Sequence, residues 1–247
     1  MKIRLYLPIL SLFLTPGLCR AGQGPNLPSA GDVVERMLAS DAQRQRSLAG
    51  YEGARRYLLL NDHMHKRAEM VVCVTGDPDG TKHFEIVSET GWKAAQRRVL
   101  HKMLESEEEA SRPEARFKAR LSFDNYEFQM VGIDELDGRS VYAIDVSPKR
   151  KEKYLFRGRI WVDRQDFALV RADGNPAKNP SFWTKSVHFT HAYQKSGPFW
   201  FPSTTDSLTE ARIFGATALK IEYFDYKPGA SAVAGNDSEF AREGSRP

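Results

Sequence analysis

The sequence predicts a mainly β protein with helices (α+β). The expected architecture is a large curved antiparallel sheet of about ten strands, forming an incomplete barrel, covered by an N-terminal helix and an inserted helical lid. Three observations predict it. Segments of period-two alternation recur from Tyr51 to Tyr226 with hairpin-length connections, the mark of one antiparallel sheet. Two stretches, about 31–48 and 92–117, keep helical spacing instead. A sheet of this size curls toward a barrel, and its concave side is where the apolar stripe of inserted helices finds cover.

The first residues read as an export signal. Lys2 and Arg4 precede a short apolar run, Leu5 to Leu14, which Pro16 and Gly17 break before Cys19-Arg20-Ala21. This is the pattern of a secretory signal peptide, residues 1–21, cut after Ala21; the run is too short for the ~20 residues of a membrane span. Leu18 before Cys19 does not suit lipidation, which wants a small residue there. Loss of residues 1–21 removes Lys2, Arg4 and Arg20 and no acid. Lys plus Arg falls from 36 to 33 against 32 Asp plus Glu, so the net charge drops from +4 to +1. Overall basicity therefore gives no support to a nucleic-acid partner. One cysteine remains, Cys73, which excludes an intramolecular disulfide and reads as a small buried hydrophobe.

Residues 22–30 form a linker. Ser29 and Asp32 have capping-box spacing, and Val33, Val34, Met37, Leu38 and Leu48 share one side of the helix that follows. "YEGARRYLLLN" and "KRAEMVVCVTG" flank "DHMH" as a hairpin, and "DPDG" turns the chain into a third strand. The inserted helix keeps Trp92, Ala95, Val99, Leu100, Met103 and Leu104 together, and Pro113 marks its stop. Hairpins turning at Leu136–Gly138 and at "DRQD", then three more strands, complete a domain over residues 31–228. The small, polar, aperiodic residues 229–247 read as a disordered tail.

Within "YLFRGRIWVD", residues 154–163, Tyr154, Phe156, Ile160 and Val162 alternate with Leu155, Arg157, Arg159 and Trp161. Large apolar groups thus fall on both faces, although one is enough to fold. The reading is that one face packs inward and the other lines a space for a guest. Together with "FWFPSTTDSL" and "TALKIEYFDY", the stretch "YLFRGRIWVDRQDFALVRADG" resembles the late strands of the bacterial outer-membrane lipoprotein-sorting protein family, the LolA/LolB-like fold, over about residues 31–227. The longer, Pro-rich "GNPAKNPSFW" suggests a relative and not the lipoprotein carrier itself. The resemblance implies a half-open barrel with helices across its mouth and a hydrophobic cavity for acyl chains in the periplasm.

The expected lining is Val99, Met103, Phe128, Tyr154, Phe156, Trp161, Phe189, Trp200 and Ile221, set in a chain unusually rich in aromatics between residues 154 and 201, Phe182 and Trp183 included. The expected ligand or partner is a lipid or acylated protein, with an inner- or outer-membrane protein as a further partner, no nucleic acid, and a monomeric state. An envelope-stress sensor or protein-interaction module of the same fold is the alternative. No cofactor and no metal are expected. His63 and His65 sit in a turn, and His188 and His191, three apart on a strand, face opposite sides. Catalysis has no motif behind it, since Asp124, Asp145 and Asp163 are scattered carboxylates at strand ends. "PKRKEK", residues 148–153, is a basic turn, either a solvated guard of the sheet edge or a docking patch for anionic headgroups or a partner protein, with Glu105–Glu109 as its possible intramolecular counterpart.

Overall fold

The computed structural model describes residues 27–179, 184–212 and 215–230. The signal segment, most of the linker, most of the tail, and Phe182 and Trp183 lie outside the described residues. Helix α1 (Ala30–Ser47) starts where expected, with Ser29 Oγ accepting from the Asp32 N–H at 3.1 Å. Strands β1 (Leu48–Asn61), β2 (Lys66–Gly76) and β3 (Lys82–Gly91) form the first meander. At its first turn, Asn61 Oδ1 accepts the Met64 N–H at 2.8 Å and His65 takes φ 50°.

A helical crossover follows. It begins as α2 (Lys93–Ala95), passes through a π-turn at Gln96–Leu100, and continues as α3 (His101–Ser111) and α4 (Pro113–Ala119). Pro113 causes the break between the last two. It forces Arg112 into extended backbone (ψ 145°) and then starts α4 at the position where a missing N–H costs nothing. Seven strands follow among the described residues: β4 (Tyr126–Leu136), β5 (Arg139–Pro148), β6 (Phe156–Asp163), β7 (Leu169–Pro176), β8 (Thr184–Ser196), β9 (Phe199–Ala211) and β10 (Gly215–Ala230). The β6–β7 turn is held by Asp163, whose buried Oδ1 accepts from the Gln165 and Asp166 N–H groups at 2.8 and 2.7 Å.

All ten strands form one antiparallel sheet in the order β3-β2-β1-β10-β9-β8-β7-β6-β5-β4. Local hairpins build it except at one seam, where β10 returns to β1. The sheet stays open, with β3 and β4 as its edges, and the crossover α2–α4 is the chain between those edges. An open antiparallel arc with an N-terminal helix and an inserted helical segment is the predicted fold class. It is also the architecture that the lipoprotein-sorting resemblance implies.

Pairing registers trace a single rung across the inner face: Met130, Ile144, Ile160, Ala172, His191, Thr205, Ile221, Tyr57, Met70. Large apolar groups stand at both ends of the rung, and small or polar ones stand in the middle. Two cores result. One packs Val33, Val34 and Met37 of α1 on Ile144, Ile160 and Val162 of β5 and β6. The other packs Ala95, Leu100 and Leu104 of the crossover on Tyr57, Met70, Val72 and Ile221. Residues of 0–7% exposure in both make each a close-packed unit. Cys73 departs from the sequence reading. It is exposed, because Met70, Val72 and Val74 take the inward phase of β2 and leave Cys73 on the other face.

Candidate functional site

Between the two cores the inner face is not filled by its own side chains. Ala172, His191 and Thr205 stand at the centre of the rung, and a cavity of about 490 Å³ remains there, lined also by Glu107 and Ala119 of the crossover. That is within the ~300–1,000 Å³ of small-molecule sites. One wall is apolar: Leu121, Tyr126, Phe156, Leu169, Ala172 and Phe189, with Tyr154 at 38% exposure. The rings of Phe156 and Phe189 meet edge to face at 5.4 Å. Gly158 and Gly174 face each other beside them across β6 and β7, where a Cβ on Gly158 would lie 1.9 Å from the Asp173 carbonyl oxygen.

The opposite wall is polar, formed by Glu107, His191, Thr205, Tyr193 and Tyr223. Behind it lies Arg55, whose side chain is 1% exposed. Its guanidinium is stacked 5.0 Å from the Phe84 ring centroid and 4.8 Å from that of Tyr223, and it donates to Glu107 Oε2 at 2.8 Å and Tyr57 OH at 3.3 Å. Lys82 Nζ donates to the other Glu107 oxygen at 2.8 Å. Burial pushes the Glu107 carboxyl up, but Lys82 and Arg55 outweigh it and hold the group at about 2. Arg55 stays charged: burial works against the cation, and Glu107 reverses that effect. Its Nε and one terminal nitrogen have no hydrogen-bond partner among the described residues.

His191 bonds through Nδ1 to Thr205 Oγ1, which in turn meets Tyr223 OH at 3.1 Å. Burial, then the Lys82 charge, lowers His191 to about 4, so it is neutral at pH 7 and a weak base. A His–Thr pair suggests nucleophile activation, but a base this weak gives little driving force for taking the Thr205 proton. What the polar wall presents is hydrogen-bonding groups and the Glu107 carboxylate, with the Arg55 and Lys82 cations paired to it.

Three of the expected residues, Tyr154, Phe156 and Phe189, line this cavity. Trp200 lines an adjoining space of about 220 Å³ that shares Leu121, Leu169 and Tyr193 with it, and its Nε1 donates to Asp166 at 3.1 Å. Phe128 packs at the margin of the first core, 5.4 Å from the Phe123 ring. Met103 and Ile221 belong to the second core. Val99 is 39% exposed, because the π-turn leaves it outside while Leu100 turns in. Trp161 is on the outer face, where its Nε1 donates to Asp134 at 3.0 Å and Arg171 covers its ring. Ile160 and Val162 hold the inward phase, and alternation puts Trp161 opposite. The second apolar group in "YLFRGRIWVD" thus packs under outer-face arginine and lines no interior space. His188 is outside as well, 3.3 Å from Asp173, while His191 is inside. Arg55 was legible in principle, since alternation puts it in phase with Tyr57 and Leu59.

Among the described residues the acidic run forms no ion pair with the basic turn, since Glu107 goes to Arg55 and Lys82, and the two segments meet only through Ser106. Lys153 instead reaches Ser106 Oγ at 2.7 Å, Arg150 the Lys118 carbonyl at 3.1 Å, and Lys149 the Phe123 carbonyl at 2.6 Å. No helix among the described residues is long and apolar enough to cross a membrane.

A family model described as a family of unknown function (DUF5686) matches residues 119–225. No curated protein matches the chain. Among solved structures the chain is similar to a LolA superfamily protein from Nitrosomonas europaea, at 10% identity over 84% of this chain and 97% of that one, with a TM-score of 0.45. It is similar to a DUF1329 family protein from Desulfovibrio piger, at 11% identity over 83% and 96%, with a TM-score of 0.43. It is also similar to a chain of the MucA/MucB complex of Pseudomonas aeruginosa, at 10% identity over 82% and 99%, with a TM-score of 0.29.

Proposed function

We propose that the protein is a non-enzymatic binding or carrier protein of the periplasm, monomeric, that holds a lipid, a lipoprotein acyl chain or a similar amphiphile between the concave sheet and its helical cover. The observation that carries this reading is the two-sided cavity. An acyl chain against Phe156, Leu169 and Phe189 removes methylenes from water, while the polar end meets His191, Thr205 and Tyr223. About ten buried methylenes would contribute on the order of 8 kcal/mol at ~0.8 kcal/mol each, part of it offset by association and ordering costs. Entry requires the crossover helices to move aside, and a partner drives release.

The test is native mass spectrometry of gently purified protein, with organic extracts of the same sample. A co-purifying amphiphile, or uptake of fatty acids, phospholipids or lipopeptides by the delipidated chain, is expected. No uptake of any of the three sinks the reading, and a pull-down yielding one membrane protein with no lipid turns it to a protein-interaction module.

A further inference from the structure

The cavity lining reaches the surface at Tyr154, and the surface around Tyr154 has a character of its own. Two segments far apart in sequence are joined there by the Arg150–Lys118 and Lys149–Phe123 contacts, and Lys153 and Tyr154 meet Ser106 of α3. Residues 112–124 and 149–153 together hold eight Lys or Arg and three Asp or Glu (Glu114, Asp124 and Glu152), a net +5 where the whole chain carries +4. Among the described residues, the side chains of Arg112, Lys118 and Lys151 are exposed with no hydrogen bond or ion pair to satisfy them, and Arg120 is exposed with the Asp41 carboxyl as its charge neighbour. Apolar side chains are interleaved with these cations: Arg116-Phe117-Lys118, then Phe123, then Lys153-Tyr154. Phe117 is 65% exposed, Phe123 39% and Tyr154 38%. Among the described residues, no other large apolar side chain is as exposed as Phe117.

From this juxtaposition we infer that the end of the molecule formed by α4 and the β5–β6 turn docks on an anionic phospholipid surface, with Phe117 and Phe123 seated at the headgroup boundary. Charge complementarity selects the occupant. Isolated aromatics between unsatisfied cations suit an interface in which each cation meets a lipid phosphate and each ring dips below it. A protein partner would instead favour a contiguous apolar core with charge pushed to the rim. Docking this way holds Tyr154, and the cavity it lines, against the bilayer.

The experiment is co-sedimentation of the full exported chain with vesicles of phosphatidylcholine alone and with vesicles in which half of it is replaced by phosphatidylglycerol. Binding is expected to the anionic vesicles only and to weaken as salt is raised. Each cation removed among Lys118→Gln, Arg120→Gln and Lys151→Gln is expected to weaken binding about fivefold. Phe117→Ser is expected to weaken it about tenfold or more. All four positions are exposed, so unchanged circular dichroism and melting are the fold control. Equal binding to both vesicle types, no binding to the anionic ones, or variants that bind like the parent would overturn the inference. Capture of a membrane protein without vesicle binding would overturn it as well. A chain with its cavity filled by Ala172→Phe is expected to dock like the parent, which separates this inference from the ligand reading.

Discussion

A guanidinium with 1% of its side chain exposed is stable in a fold only when its charge is met, and for Arg55 the partner is Glu107. Glu107→Gln leaves that cation buried and uncompensated. It is expected to cost about 3–5 kcal/mol in urea unfolding, whereas Arg55→Met should cost less, since Glu107 keeps Lys82 and is 32% exposed. The pH dependence has a definite sign. Glu107 sits at about 2 when folded against 4.5 for the free group, so its contribution is full above 4.5 and is lost as pH falls toward 2. His191 works in a higher window. Folded it sits at about 4 against 6.5, so the unfolded chain takes up the proton first and stability falls as pH drops from 6.5 to 4. His191→Gln is expected to flatten the stability profile in that upper window and leave the lower one in place. A parent profile flat between pH 6.5 and 4 would refute the buried neutral histidine. These residues were hard to see in the sequence for a physical reason. Arg55 beside Arg56 looks like a solvated pair, and only alternation with Tyr57 and Leu59 says which of the two turns inward. The same reasoning corrects Cys73: a thiol reagent is expected to titrate it in the native chain, without denaturant.

At the scale of elements, the hairpins were legible because their turns are chemically marked: Asn61 and His65 at one, Asp163 at another, Asp137 and Gly138 at a third. The β10–β1 seam was not, because it joins residues 48–61 to 215–230 with no local signal, only matching inward phases. Nor was the π-turn at Gln96–Leu100, whose extra residue shifts the face of the helix and puts Val99 in solvent while Leu100 is buried. Strand faces carrying aromatics on both sides left Trp161 ambiguous until its neighbours' phase was known. Strands β6 and β7 approach closely at Gly158 and Gly174, which face each other across the pair. Gly158→Ala puts a Cβ 1.9 Å from a backbone oxygen, so the strands must part. The expected outcome is a loss of about 2–3 kcal/mol, read as a lower urea midpoint at unchanged slope. A neutral result would mean that β6 and β7 can part at this point without loss of pairing.

For the whole molecule, the question is why an arc of ten strands keeps an interior space at all. Its two ends are packed by different covers, α1 over β5 and β6 and the crossover over β1, β2 and β10. Strands β7 to β9 at the centre contribute Ala172, His191 and Thr205 to the common rung, where the lining passes from the edge of the first core, to which Ala172 belongs, to polar side chains facing Glu107 and Ala119 of the crossover. The volume is therefore a property of the sheet's curvature combined with small central residues, and it can be reduced at Ala172, which stands where the first core meets the cavity. Ala172→Phe directs a ring from the edge of the first core into the 490 Å³, while Tyr57 and Met70 of the second core keep their partners; an unchanged circular dichroism spectrum is its fold control. A ligand that binds only the folded chain stabilises it by about 2.7 kcal/mol at a concentration a hundred times its Kd. The delipidated parent should therefore melt higher when a long-chain fatty acid is added, and the Ala172→Phe chain should melt at one temperature with or without it. If the filled chain still responds to the fatty acid as the parent does, the guest sits elsewhere on the molecule, and the space between the two cores is a consequence of curvature with no ligand assigned to it.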